Sequence, residues 1–411
     1  LLPKATAVAA LHALNSASIR FMYFSPNSES VIKSFGEKLG IETDWNCCVT
    51  LRDPPKSKKP ETESEIQKLP VGISSIRDHI KNVDNVPLLV KLFCDVDASS
   101  ASEMIKILRE NGEVVMVAGS SLTHKNVPSF SQAHLAIGMT PRTQYFTGEI
   151  SSRHFKAQGT TSNFGVDLNC LACDLVFGQP KFERLLNLLW EGRRVSRNTK
   201  QAVLFFLSVL LSLHFFLLVS NVILLPQPLS GLQILWLIFV IIPLITIPLL
   251  SSRAESKIIE LISAKNNTRF KNDFKTYLKW FSIRVIPTIS VLVLIFALSI
   301  SQTWGGPVEA IFGAKLPNTF PDALFYSAQD FSQNIALFSF VLFTAVSSLS
   351  FQHPSRTIFQ YNPLLNLPWV ACVSISVVLQ VGFFAVSTTQ NNELFDKIKW
   401  YTYVVIFAWV P

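Results

Sequence analysis

The stretch that most limits what this chain can become is 190–250. Arg193, Arg194, Arg197 and Lys200 lead into an unbroken apolar segment, 202–225. Pro226, Pro228 and Gly231 interrupt it, and a second apolar segment, 232–250, turns the chain back. Each segment holds about 20 residues, enough for a helix to cross roughly 30 Å of hydrocarbon. Hydrocarbon offers no hydrogen bonds, so a crossing backbone must satisfy its own N–H and C=O groups, as a helix does. The cationic flank predicts that the chain enters the membrane from the cytosol. The stretch therefore reads as the join between a cytosolic domain, 1–189, and a membrane domain, 190–411, which begins with a stalk.

Four more apolar segments follow, near 280–300, 331–351, 367–386 and from 400 to the end. They bring the expected total to six helices in three hairpins, with the last one cut short. The connection 251–279 carries Arg253, Lys257, Lys265, Arg269, Lys271, Lys275 and Lys279, whereas 303–329 carries only Lys315. The first connection is thus expected on the cytosolic side and the second in the lumen or outside. These flanks account for much of the formal net charge of +8. Nucleic-acid binding is not expected, because the basic residues flank helices and are not interleaved with stacking aromatics. The expected surroundings are a lipid bilayer, with protein partners at the cytosolic domain.

Polar groups inside the apolar segments are few: His214, Asn221, Gln380 and the group Asp330, Gln333 and Asn334. An ionisable or polar group inside a span is a candidate functional residue, so His214, Asp330, Gln333 and Asn334 are the candidate metal ligands. The simpler readings are that Asp330 caps a helix start at the interface and that His214 is a packed or hydrogen-bonded helix residue.

The first 189 residues alternate apolar runs with amphipathic stretches, the α/β pattern. Strands are expected at 19–24, 87–94, 113–118, 133–139 and 174–177. Helices are expected at 28–39, stopped by Gly40, at 98–110 and from Lys181 onward. Residues 52–69 read as a solvated loop, and 140–167 as a long polar insertion. Five of the six cysteines fall in this cytosolic part, where thiols stay reduced. Cys170 and Cys173 form a Cys-x-x-Cys and Cys47–Cys48 an adjacent pair; a zinc site would need the two pairs to converge.

Several runs resemble P-type ATPases. GEVVMVAGS (112–120) followed by AHLAIGM (133–139) is similar to the strands around that superfamily's Gly-Asp-Gly signature. GRRVSRNTKQ (192–201) is similar to the stalk entering the fifth membrane helix, and LPQPLSGLQILW (225–236) to the loop and start of the sixth. FSPNSESVIKSFGEKLGIETDWNCCVTL (24–51) and IRDHIKNVDNVPLLVKLFCD (76–95) more closely resemble the transmembrane protein 94 family. The resemblance implies a Rossmann-like, HAD-type phosphorylation-domain remnant joined to a six-helix membrane domain. It also implies an endoplasmic reticulum membrane protein that transports magnesium from cytosol to lumen. The segment with the phosphorylated Asp is expected upstream of Leu1, with ATP and Mg2+ held by upstream domains.

On this alignment the superfamily's working groups are replaced. Phosphoryl transfer needs carboxylates for the metal and a Lys for the phosphoryl oxygens. Pro26, Ser120 and His124 stand where the resemblance places Asp, and Ala101 stands where it places the Lys. No catalytic or cofactor-binding residue is therefore assigned in this chain, which suggests a pseudoenzyme. Where calcium-pump relatives carry oxygen ligands, the fifth and sixth helices here show Leu210, Leu213, Ile238, Ile241 and Ile242. Two readings remain open: magnesium transport, and a catalytically silent pump fold acting as scaffold or regulator.

Overall fold

The computed structural model describes residues 3, 5–44, 46–53, 69–139, 170–177, 182–252, 267–312, 323–352, 362–389 and 392–408. The chain divides at Leu189/Trp190 into two compact units.

In the first unit, β1 (Tyr23–Phe24), β3 (Leu92–Cys94) and β2 (Cys48–Thr50) form a parallel sheet in the order β1-β3-β2. A second parallel sheet has the order β4-β5-β6, from Met116–Ser120, Leu135–Met139 and Leu175–Phe177. Parallel neighbours need crossover connections. The helices that follow β1 to β4 supply them: α2 (Glu29–Lys38), α3 (Ile73–Asn82), α4 (Ala98–Glu110) and α5 (Val127–Gln132). Helix α1 (Ala5–Ser16) precedes β1.

The central strand of the first sheet reads Leu-Phe-Cys because it is buried on both faces. Phe93 stacks on Phe24 with ring centroids 4.6 Å apart. It joins Val49, Leu51, Ile76, Met104 and Ile107 in one core, while Leu92 and Cys94 face Ile32, Leu39 and Ile41 on the other side. Met22, Phe24 and Val115 border the first of these cores. Arg20, just ahead of β1, ties the N-terminal ends of the two sheets: one Nη donates to Leu88 O at 3.0 Å, and the other meets Glu113 at 2.6 Å.

Helix α4 matches its expected bounds, and α2 falls one residue short at each end, with Ser28 as its N-cap and Leu39 as its C-cap, before Gly40 at φ +76°. The strand expected at 19–24 shortens to Tyr23–Phe24, because Ser18 turns at φ +56° and Arg20 is drawn aside to Glu113. The strand expected at 87–94 starts only at Leu92, since Pro87 sits in a tight 3-10 turn, Val86–Leu88. Strand β4 starts at Met116, later than expected, because the Val115 N–H is taken by His134 Nδ1 at 3.1 Å. Three-residue β2 escapes a reading by alternation because it is so short. Residues 54–68 of the expected loop and all of the 140–167 insertion lie outside the described residues.

The second unit is helical. Among the described residues, five helices are long and apolar enough to cross a membrane. They are α6 (Phe182–Val222, in this unit from Trp190), α7 (Gly231–Ser251), α8 (Asn267–Trp304), α10 (Ala323–Gln352) and α11 (Leu367–Thr388). Helix α9 (Val308–Ile311) is a short link, and the sixth apolar segment begins as α12 (Trp400–Ala408). Phe205, Phe216, Ile241, Phe296 and Phe340 form the dry centre of the unit. A second cluster joins Phe331 to Leu394, Ile398 and Ile406.

Helix α6 ends at Val222, short of the apolar limit at 225. Leu224 takes the left-handed conformation, φ +59°, and the Leu225 N–H returns to Ser220 O at 3.0 Å. Burial of Leu225 and Leu229 accompanies this tight ending. Helix α7 is irregular: a π-helical turn, Leu237–Ile241, precedes Pro243, and a 3-10 turn, Ile247–Ser251, contains Pro248. A proline lacks the N–H that an α-helix needs and clashes with the carbonyl one turn back, so the helix loosens or tightens around each.

Candidate functional site

In parallel α/β sheets, loops at the C-terminal strand ends are the ones that hold ligands, and the four substituted positions lie on or beside them. After β1 the chain passes through Ser25, Pro26 and Asn27; after β3 it passes through Asp95 to Asp97 and enters α4. These two loops are stitched together by backbone. Asp95 N–H donates to Asn27 O at 3.0 Å, and Val96 N–H donates to buried Ser25 O at 3.1 Å. Asp97 caps α4 through a capping box with Ser100, which leaves Ala101 in the first turn. The structure thus brings the segments carrying Pro26 and Ala101 together.

Ser120 and His124 lie on the second sheet, after β4. Ser120 Oγ accepts from Leu122 N–H at 3.3 Å, and its carbonyl accepts from Asn126 Nδ2 at 2.8 Å. His124 opens an exposed 3-10 turn. The residues do not fit the chemistry expected of their positions. Pro26 and Ala101 carry no ligand atom, and Ser120 is engaged in its own turn. Among the described residues no three His, Cys, Asp or Glu side chains are grouped to hold a metal. The cysteine pairs lie on different sheets, Cys47–Cys48 at β2 and Cys170–Cys173 before β6.

A polarised thiol does lie near this end. Cys94 Sγ is 3.1 Å from Thr50 Oγ1. A hydrogen bond with Cys48 lowers the Cys94 thiol to about 7 and pushes the Cys48 thiol up.

In the helical unit, the candidate ligands separate. Asp330 is exposed and lies in the third turn of α10, which starts at Ala323, so it does not cap that helix. His214 is exposed on α6, along a groove with Leu217, Leu218 and Asn221. Gln333 and Asn334 are buried. Gln333 Nε2 donates to Gln227 O at 2.8 Å, and Asn334 Oδ1 accepts from Gln233 Nε2 at 2.9 Å.

Gln233 is the residue missed in the sequence. It caps α7 through a box with Ser230, and the Ser-x-x-Gln spacing in LPQPLSGLQILW is the signal for it. One turn on, Trp236 Nε1 donates to Gln380 Oε1 at 3.2 Å on α11. At the far end of α7, Asn198 Nδ2 of α6 donates to Leu250 O and Ser252 O at 2.9 and 2.8 Å. The irregular helix is thereby clamped by amides from α6, α10 and α11. Ile241 and Ile242 are fully buried in the apolar core and Ile238 borders it, so that stretch of α7 offers no oxygen ligands from its side chains.

No family model matches the chain. It is 28% identical over 439 residues to transmembrane protein 94 of Homo sapiens, covering 90% of this chain and 32% of that protein. The Mus musculus transmembrane protein 94 is 28% identical over 440 residues, with the same coverage. Calcium-transporting ATPase 1 of Bacillus cereus is 22% identical over 321 residues, 77% of this chain and 32% of that protein. The chain spans about a third of the length of the curated relatives it matches. With parallel α/β sheets joined to apolar membrane helices and these likenesses, the chain is a multi-pass, P-type ATPase-like membrane protein similar to transmembrane protein 94.

Proposed function

We propose that this chain is part of a transporter in the endoplasmic reticulum membrane, with the α/β unit in the cytosol, and that the whole protein moves magnesium from cytosol to lumen. The choice of magnesium and of compartment rests on the family resemblance of 24–51 and 76–95. The observation that carries the transport reading is helix α7, broken by a π-turn and held by buried amides on neighbouring helices. Interrupted helices and buried polar groups within spans favour a solute path over a plain anchor. ATP and Mg2+ would be held by parts of the protein outside this sequence.

The test is magnesium uptake into reticulum vesicles containing the full-length protein, with and without Gln233→Leu. Uptake that depends on the protein and falls in the variant, at equal protein level, is the expected result. Uptake indifferent to the protein's presence overturns the reading.

A second reading, a catalytically silent scaffold or regulator, is favoured by Pro26, Ala101, Ser120 and His124. Labelled ATP separates the two: transport by a pump cycle predicts acid-stable phosphate on the full-length protein, whereas the scaffold predicts none under any ion condition.

A further inference from the structure

The Cys-x-x-Cys of the first unit belongs to neither reading above, and its geometry is specific. Cys170 and Cys173 are half-buried in the turn that leads into β6. Cys173 N–H donates to Cys170 O at 2.9 Å, which closes the turn across the motif. A turn of this kind holds its end Cα atoms within about 7 Å, and a disulfide spans about 4.4–6.8 Å between Cα atoms.

The turn is anchored on both sides of the backbone to β5. Asp174 N–H donates to Ala136 O at 2.9 Å, and Asp174 Oδ2 accepts from Ala136 N–H at 2.7 Å. The Cys173 thiol lies flat on the sheet: a Cβ added at Gly138 would stand 2.9 Å from its sulfur and 3.5 Å from Ser121 Cβ. The glycine at 138 is what admits a thiol there. The other close cysteines are placed differently. Cys48 pairs in register with Leu92, two residues from Cys94 along the strand. Their thiols hydrogen-bond across two strands of the other sheet.

We propose that Cys170 and Cys173 are a redox modification site that a hydroperoxide converts to an intramolecular disulfide and a small thiol reductant reopens. The thiolate of Cys170 attacks the peroxide O–O bond, forming a sulfenic acid and a hydroxide, which takes up the proton that the thiol had given to solvent and becomes one water. The Cys173 sulfur then displaces the hydroxyl from that sulfenic acid, forming the S–S bond and releasing a second water. Two thiols and one hydrogen peroxide become one disulfide and two waters. The Cys173 sulfur is packed against Gly138, and burial pushes its thiol up, so Cys173 is assigned as the resolving thiol and Cys170 as the first target.

The test uses the full chain in membranes, treated with hydrogen peroxide, alkylated with a maleimide and analysed by peptide mass. The expected peptide spanning both residues is lighter by two hydrogens, carries no maleimide, and regains both labels after dithiothreitol. Cys170→Ser and Cys173→Ser should each abolish the mass loss. Gly138→Ala, which crowds the Cys173 sulfur, should change the rate of closure while leaving the other cysteines' labelling untouched. The proposal fails if both thiols still take maleimide after peroxide, if they stop at sulfinic acid, or if either bonds to Cys47, Cys48 or Cys94 instead.

Discussion

The two units solve the same problem, buried polar groups, by opposite means. In the α/β unit the burden falls on the backbone: parallel ladders and the stitched loops Asn27–Asp95 and Ser25–Val96 hold the strand ends in place. Side chains at those ends could therefore change to Pro26 and Ala101 without loss of the frame. In the helical unit the backbone is already satisfied within each helix, and side chains do the joining. Gln233 reaches Asn334, Trp236 reaches Gln380, and Asn198 reaches the end of α7.

Most hydroxyls in the spans do something else. Ser212 donates to Ser208 O at 2.7 Å, Ser220 to Phe216 O at 2.8 Å and Thr344 to Phe340 O at 2.8 Å, each on its own helix. They hide their polarity where they stand. The comparison teaches that a polar residue in a span is informative only when its partner lies on another helix.

Substitutions can break that contrast or sharpen it. Phe93→Ala removes the ring at the centre of the first sheet and should cost about 3–5 kcal/mol, seen as a lower melting temperature of the full chain. A small loss there would mean the α/β core is not the rigid frame described. Gln233→Leu deletes both the contact with Asn334 and the cap on α7, for about 1–2 kcal/mol, measurable by thermal unfolding in detergent; an unchanged melt would demote the clamp. Asn198→Ala leaves the carbonyls of Leu250 and Ser252 without their donor, at about 1 kcal/mol. Faster amide exchange confined to the end of α7 would be its signature. Ser212→Ala should stay within about 0.5 kcal/mol of the parent, and a larger effect in the same melt would contradict the division between self-bonded and clamping groups.

Several elements were legible residue by residue. Helix α4 follows from Met104, Ile105 and Leu108 at helical spacing behind an acidic cap, and α2 from a run that Gly40 stops. The candidate site was less so. Gln233 was hidden inside a loop-like string, although its box with Ser230 is a local signal. Its partner Asn334, 101 residues away, leaves no such signal. His214 and Asp330 stood out as polar letters in apolar runs, yet which side of a helix faces the bundle depends on what packs there, and both are exposed.

By itself, then, the sequence determined where the chain is apolar long enough to span a bilayer and where it alternates as α/β, because periodicity and hydropathy are local. It also determined that Pro26 and Ala101 cannot bind a metal, because that is fixed by the side chain alone. Only the tertiary structure decided that Gln233, Trp236 and Asn198 clamp one irregular helix, and that the Cys170–Cys173 turn sets the Cys173 sulfur against Gly138. Those are distances between atoms, set by the packing of elements far apart in the chain or by backbone turns that residue type alone does not specify.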